Sequence, residues 1–230
     1  MQRVGNIVIN ALRLGKKLNN SAHHIFDRQA VRQHKERAAV SLSSFDFLLR
    51  EAAEQLADRL TDIRRTFPLA LELTAHRSVL RDAIGSGGAI GTILHANMAR
   101  EMLLDTERLG VVADEEFLPF RRQGLDLILS SCGLHWANDL PGVLIQACHA
   151  LKPDGLLLVN FLGGETLKEL RFSLIKAEME TEGGAGPRIS PFVDIRDAGT
   201  LLQRANFALP VADKESVIVY YKSPMKLLWD

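Results

Sequence analysis

Glu72, Thr74, His76 and Ser78 stand at alternate positions between the apolar run at 69–73 and Val79-Leu80. An apolar strand that ends in an acid, turns tightly and enters a helix has the layout of a nucleotide-cofactor loop. Such loops depend on glycine, which accepts positive φ and lets the backbone approach the bound group. This stretch contains no glycine. Its chemistry is therefore in tension with its layout. Gly85, Gly87, Gly88 and Gly91 lie beyond the expected helix and do not supply what the turn lacks.

Other residues have types that could do chemistry. His135 and Trp136 follow the apolar run at 126–130. They fit a substrate-facing aromatic beside a proton acceptor; they equally fit a packed cap on a strand end. Glu165, Glu169 and Arg171 lie at the start of a predicted helix at 167–181. Two carboxylates one turn apart on one face suit a guanidinium substrate, because arginine pairs bidentately with carboxylates. A capped, solvated helix face explains them as well. His23 and His24 lack identifiable further ligands, and no two-His-one-carboxylate spacing is found, so no metal is expected. Gly183 to Arg188 reads as a flexible loop, either a lid or partner contact, or a plain connection between helices.

These residues must be positioned by short apolar strands alternating with helices. Strands are predicted at 69–73, 90–95, 110–113, 126–130, 156–161 and 211–221. Helices are predicted at 45–61, 79–84, 98–108, 139–150 (preceded by Asn138), 167–181 and 194–205, with a turn at 152–155. The pattern gives an α/β, doubly wound, mainly parallel sheet. Ligands in such a fold meet the carboxyl ends of the strands, after Leu73, His95, Ala113 and Ser130.

Bulk properties narrow the classes. The 230 residues include 47% hydrophobic and 24% charged residues, with 28 Lys plus Arg against 28 Asp plus Glu. Zero net charge argues against a general nucleic-acid or membrane-surface binder. The two cysteines, Cys132 and Cys148, are expected as free thiols. Residues 1–26 contain no acid, and Arg3, Arg13, Lys16 and Lys17 interleave with apolar residues. Residues 1–25 are read as a basic leader with a mitochondrial targeting pattern, or as a basic surface helix or arm. The remaining 26–230 is read as one domain.

Several phrases in order carry a resemblance. They are Ile25-Phe26-Asp27-Arg28 with Lys35-Glu36-Arg37, then Ala113-Asp114-Glu115-Glu116-Phe117-Leu118-Pro119-Phe120, and Leu134-His135-Trp136-Ala137-Asn138-Asp139-Leu140-Pro141. Leu151-Lys152-Pro153-Asp154-Gly155, Gly163-Gly164-Glu165-Thr166-Leu167 and Ile189-Ser190-Pro191-Phe192 complete the set. Together they resemble the class I methyltransferase-fold assembly factors of mitochondrial complex I, described as arginine hydroxylases. The malonyl-carrier-protein methyltransferases of biotin synthesis are more distant relatives.

The resemblance implies S-adenosylmethionine as cofactor, a complex I subunit as partner and a mitochondrial matrix location (bacterial cytoplasm if the leader is not a targeting segment). Membrane association would be peripheral, through the complex. It sets Glu72 as the acid of the cofactor loop and Thr74, His76 and Ser78 at its three glycine positions. Asn97 takes the place of the acid that binds the ribose hydroxyls. Asp114, Glu115 and Phe117 stand on the adenine side; His135, Trp136 and Glu165 face the substrate. The family continues past Tyr221 to a final strand that completes the sheet. Without it, the strand at 211–221 is expected to have an unpaired edge, implying a shortened chain or a covering partner.

Three functions follow. The chain is an assembly factor that hydroxylates an arginine, a non-catalytic relative that holds an unassembled complex I subunit, or a carboxyl O-methyltransferase.

Overall fold

A computed structural model of the protein describes residues 2–13, 25–74, 76, 78–85, 88–104 and 109–229. Five strands form the parallel part of the sheet: β2 (Phe67–Leu73), β3 (Ile90–Asn97), β4 (Leu109–Val112), β5 (Leu125–Ser131) and β6 (Leu151–Leu162). With β1 (Gln2–Arg13) and β7 (Phe207–Val219) the order is β4-β3-β2-β5-β6-β1-β7. Both β2 and β5 are buried along nearly their whole length, as strands covered on two faces must be.

Successive strand residues point to opposite faces, and each face has its own helices. On one face Ala70, Leu127 and Leu129 meet Ala53, Leu56 and Leu60 of α2 (Phe47–Thr61) and Val79 and Leu80 of α3 (Val79–Ile84). On the other, Leu71, Leu73 and Ile128 meet Val143 and Leu144 of α4 (Leu140–Ala150) and Ala198 and Leu202 of α6 (Ile195–Arg204). Two further helices are α1 (Arg28–Ala38) and α5 (Lys168–Glu182); α7 (Pro224–Trp229) follows β7.

Three expectations are corrected. The helix expected at 98–108 is only a 3-10 turn, Arg100–Leu103, with 105–108 outside the described residues. The turn expected at 152–155 lies within β6. There the register against β5 jumps from Leu125↔Leu151 to Leu127↔Leu156, and Asp154 takes φ 59, so the Pro-Asp-Gly chemistry makes a bulge. The strand expected at 211–221 runs from Phe207 to Val219 with β1 as its neighbour, and as the last strand of the sheet it has no partner on its outer edge among the described residues. Residues 2–13, within the segment read as a leader, form β1, antiparallel to both β6 and β7. The rest of that leader reading, including His23 and His24, lies outside the described residues. On the α2 side, Arg59 ties β7 down through Asp213 and Glu215, each at 2.6 Å. No described helix is long and apolar enough to cross a membrane.

Candidate functional site

The carboxyl ends of β2, β3, β4 and β5 bring Glu72, Thr74, His76, Asn97, Asp114, His135 and Trp136 to one edge of the sheet. What each polar group does there is specific. Glu72 and His95 are ladder partners on β2 and β3. Their buried side chains meet at 2.7 Å, His95 Nδ1 to Glu72 Oε2. The acid expected in the cofactor loop is thus paired with an imidazole.

Thr74 sits in the left-handed region at φ 64. A β-branched residue is strained there by roughly 1–2 kcal/mol. Its buried hydroxyl lies 2.5 Å from the Leu73 carbonyl and 2.8 Å from Ser130 Oγ. The facing loop after β5 adapts to this side chain. A Cβ on Gly133 would stand 1.9 Å from Thr74 Oγ1, so only glycine fits opposite Thr74. Cys132, next to it, is also left-handed at φ 48.

His76 reaches across to the same loop, with Nε2 3.3 Å from the Cys132 carbonyl. Burial, then the charge of Lys35, pushes the His76 imidazole down to about 4, against the pull of that carbonyl. His135 is pushed to about 3 by burial, then by His76 and Lys35, and its buried Nδ1 makes no hydrogen bond among the described residues. Both imidazoles are neutral at physiological pH. Burial also lifts the Cys132 thiol to about 12.

Asn97 is buried at the end of β3, where its Oδ1 accepts from the Ala99 N–H at 2.8 Å. Asp114 is gripped by Arg28 of α1, Nη2 to Oδ1 at 2.5 Å and Nε to Oδ2 at 3.2 Å. Beside it Glu115 is fully buried, 2.8 Å from Arg28 Nη2 and 3.7 Å from Lys35 Nζ. Burial draws the Lys35 ammonium below its ordinary range, against the attraction of Glu115. Phe117, expected at the adenine ring, is 75% exposed.

On the substrate side, Trp136 packs edge-on to Phe26, with ring centroids 5.5 Å apart, and His135 lies 5.1 Å from Trp136. Phe26, His135, Asn138 and Phe192 line a cleft of about 480 Å³ with α4 and α6. Phe192, of the Ile189-Ser190-Pro191-Phe192 phrase, reaches the site, its ring 6.2 Å from that of His135. Glu165 does not share this cleft. It precedes α5, and its carboxylate pairs with Lys214 of β7 at 2.5 Å and Lys168 at 3.9 Å. Glu165 and Glu169 therefore do not form a helical pair. Arg171 serves the carbonyls of Gly164 and Thr166.

Three participants escaped sequence reading. Arg28 and Lys35 lie on α1, a helix with no apolar stripe, and Asn138 was taken only as a residue preceding α4. Asp139 is the cap, accepting from the Gly142 N–H at 2.9 Å. Asn138 Oδ1 accepts from the N–H groups of Ile25 and Phe26, both at 2.7 Å, and its Nδ2 donates to the Phe26 carbonyl at 3.0 Å. The available signal was Asp27, which caps α1 through Gln29 and Ala30. Among the described residues no group of three His, Cys, Asp or Glu is arranged to hold a metal.

The fit to S-adenosylmethionine can be judged from these contacts. The loop after β2 places side chains where a bare backbone would meet a cofactor, and His76 bridges to the loop after β5. The acid of the cofactor loop and the acid on the adenine side pair instead with His95 and Arg28. The residues present do not fit the group in this arrangement.

With this geometry in hand, the fold and sheet order define a class I methyltransferase-fold protein. A family model described as "Methyltransferase domain" matches residues 79–159, starting just past the glycine-free loop. The methyltransferase-described component of the Haloferax volcanii Trm112 activator complex superposes with a TM-score of 0.58 at 17% identity, covering 76% of this chain and 75% of that one. A Thermotoga maritima protein, described as an S-adenosylmethionine-dependent methyltransferase, gives 0.53 at 15% identity, covering 75% and 79%.

More particularly, the chain is similar to the proteins named "Arginine-hydroxylase NDUFAF5, mitochondrial". It is 40% identical to the Danio rerio protein over 213 residues and 42% identical to the Homo sapiens protein over 214, in each case 90% of this chain. It spans 66% and 62% of those relatives' lengths. A malonyl-[acyl-carrier protein] O-methyltransferase of Methylovorus is more distant, 29% identical over 90% of this chain and 73% of that protein.

Proposed function

We propose that this chain is a mitochondrial matrix assembly factor for respiratory complex I that holds an arginine-bearing segment of a complex I subunit, without methyl transfer from S-adenosylmethionine. The observation that carries this reading is the internal satisfaction of the cofactor end. His95, Ser130, Cys132, Ala99 and Arg28 take the groups a cofactor would need. The cleft of about 480 Å³ stays open beside it. A fold retained with its cofactor end closed and its substrate end open suits a holder of protein segments.

The identity of about 40% to proteins named arginine-hydroxylases supports a second reading, in which the held arginine is also hydroxylated. Carboxyl O-methylation, the reaction named for the more distant relative, is disfavoured because it requires the cofactor.

The test is capture of separately purified subunits of the complex I peripheral arm. The expected outcome is a stoichiometric complex with one subunit, unchanged by millimolar S-adenosylmethionine. Retention of no subunit would overturn the reading. A mass gain of one oxygen on an arginine of the captured subunit would establish the second reading in its place.

A further inference from the structure

The segment Ile25-Phe26-Asp27-Arg28 is held as a bound peptide would be. Asn138 reads its backbone with three hydrogen bonds, two accepted and one donated. The Phe26 ring stands edge-on to Trp136 and lines the open cleft. Two residues on, the Arg28 guanidinium meets a set of acceptors matched to its fork. Asp114 takes Nε and Nη2, the Trp136 carbonyl takes Nη1 at 2.7 Å, and Glu115 Oε1 lies 2.8 Å from Nη2. A lysine ammonium, a single point charge, cannot reach all of these at once.

Two observations point to a receptor for an exchangeable ligand rather than a fixed clasp. Glu115 is fully buried, and among the described residues only the charges of Arg28 and Lys35 meet it, at 2.8 and 3.7 Å, with no further hydrogen-bond donor. Helices are normally fixed by a buried apolar face. In α1 the only buried residue is Lys35, so the helix docks mainly through charge. Charge-mediated docking can be displaced by a competing charge without opening a core.

We propose that residues 25–28 are an internal stand-in for the client, and that Asn138, Trp136, Asp114 and Glu115 form the docking site for an aromatic-x-arginine segment of the client. Resting on the assembly-factor reading above, this names the chemistry that the client presents. The client segment displaces Phe26 and Arg28, which frees α1 from the body.

The probes are the peptide acetyl-Ile-Phe-Asp-Arg-amide and the same peptide ending in lysine amide. In the full chain carrying F26A and R28A, the arginine peptide is expected to bind at least tenfold more tightly than to the natural chain and at least tenfold more tightly than the lysine peptide. Adding D114N is expected to abolish that gain. A gain that survives D114N, or one shared equally by the lysine peptide, would overturn the proposal. So would the absence of any gain. Hydrogen exchange on the natural chain keeps the test independent of how the variants fold. The arginine peptide should accelerate exchange of the α1 amides and the lysine peptide should not; equal effects, or none from either peptide, would overturn the proposal. Subunit capture without arginine-peptide binding would remove this site and leave the assembly-factor reading standing. Arginine-peptide binding without subunit capture would do the reverse.

Discussion

Thr74 and Gly133 form a reciprocal pair across the mouth of the sheet. The loop after β2 has a side chain where cofactor loops have glycine, and the loop after β5 has the glycine that makes room for it. Gly133→Ala is expected to cost about 1–3 kcal/mol, the usual range for overpacking. Thr74→Gly in the same chain should recover most of that loss, and a urea-denaturation double-mutant cycle measures the coupling. Strictly additive effects would contradict the pairing. The histidines give a second test at this scale. His76 and His135 titrate in the folded chain at about 4 and about 3, below the ordinary 6.5. Between those values the unfolded chain takes up protons that the folded chain refuses. Their contribution is therefore complete above pH 6.5. It declines as the pH falls toward 4, by about 1.4 kcal/mol per pH unit for each histidine. Melting as a function of pH should show this slope, and it should shrink in His76→Gln and His135→Gln. The glycine-free loop and Asn97 were legible from sequence, because glycine has a local conformational role. The partners of Glu72, Thr74 and Asp114 were not. They lie 23, 56 and 86 residues away, and no spacing rule reaches that far.

At the scale of elements, helices and strands with a strong apolar pattern were placed within a few residues. α2 buries Ala52, Ala53, Leu56 and Leu60 along the stripe its sequence predicts. Elements held by charge or by tertiary pairing were missed. α1 buries one lysine and no apolar residue, so it lacks the 3.6-residue signal that reveals a helix. Residues 2–13 alternate too weakly to announce β1, which is defined by its partners β6 and β7. The 152–155 stretch has every mark of a turn, and the sheet absorbs it as a bulge because pairing resumes at Leu156. The 98–108 segment has helix-forming residues but forms only one 3-10 turn before the described chain breaks off. Glu165 shows that a residue just before a correctly placed helix can still face away from the site. One turn outside α5, it faces Lys214 rather than the cleft.

At the scale of the molecule, the parallel sheet and its two helical layers are those of the class I methyltransferase fold, and the NDUFAF5 relatives share the sequence along 90% of the chain. Fold alone does not assign an activity. In this chain the groups expected to meet S-adenosylmethionine are bonded to other protein groups: Glu72 to His95, Thr74 to Ser130, Asn97 to the Ala99 N–H and Asp114 to Arg28. A cofactor would have to break the Glu72–His95 pair or the Arg28–Asp114 pair, and to enter past Thr74 and His76. Breaking the buried Glu72–His95 pair would leave a carboxylate without compensation, a change that costs several kcal/mol in comparable sites. The direct measurement is isothermal calorimetry of the intact chain with S-adenosylmethionine. We predict no binding heat at millimolar cofactor, and none in Thr74→Gly alone, because the acids remain occupied. Saturable binding in the micromolar range by the natural chain would contradict a cofactor end closed by the protein's own side chains.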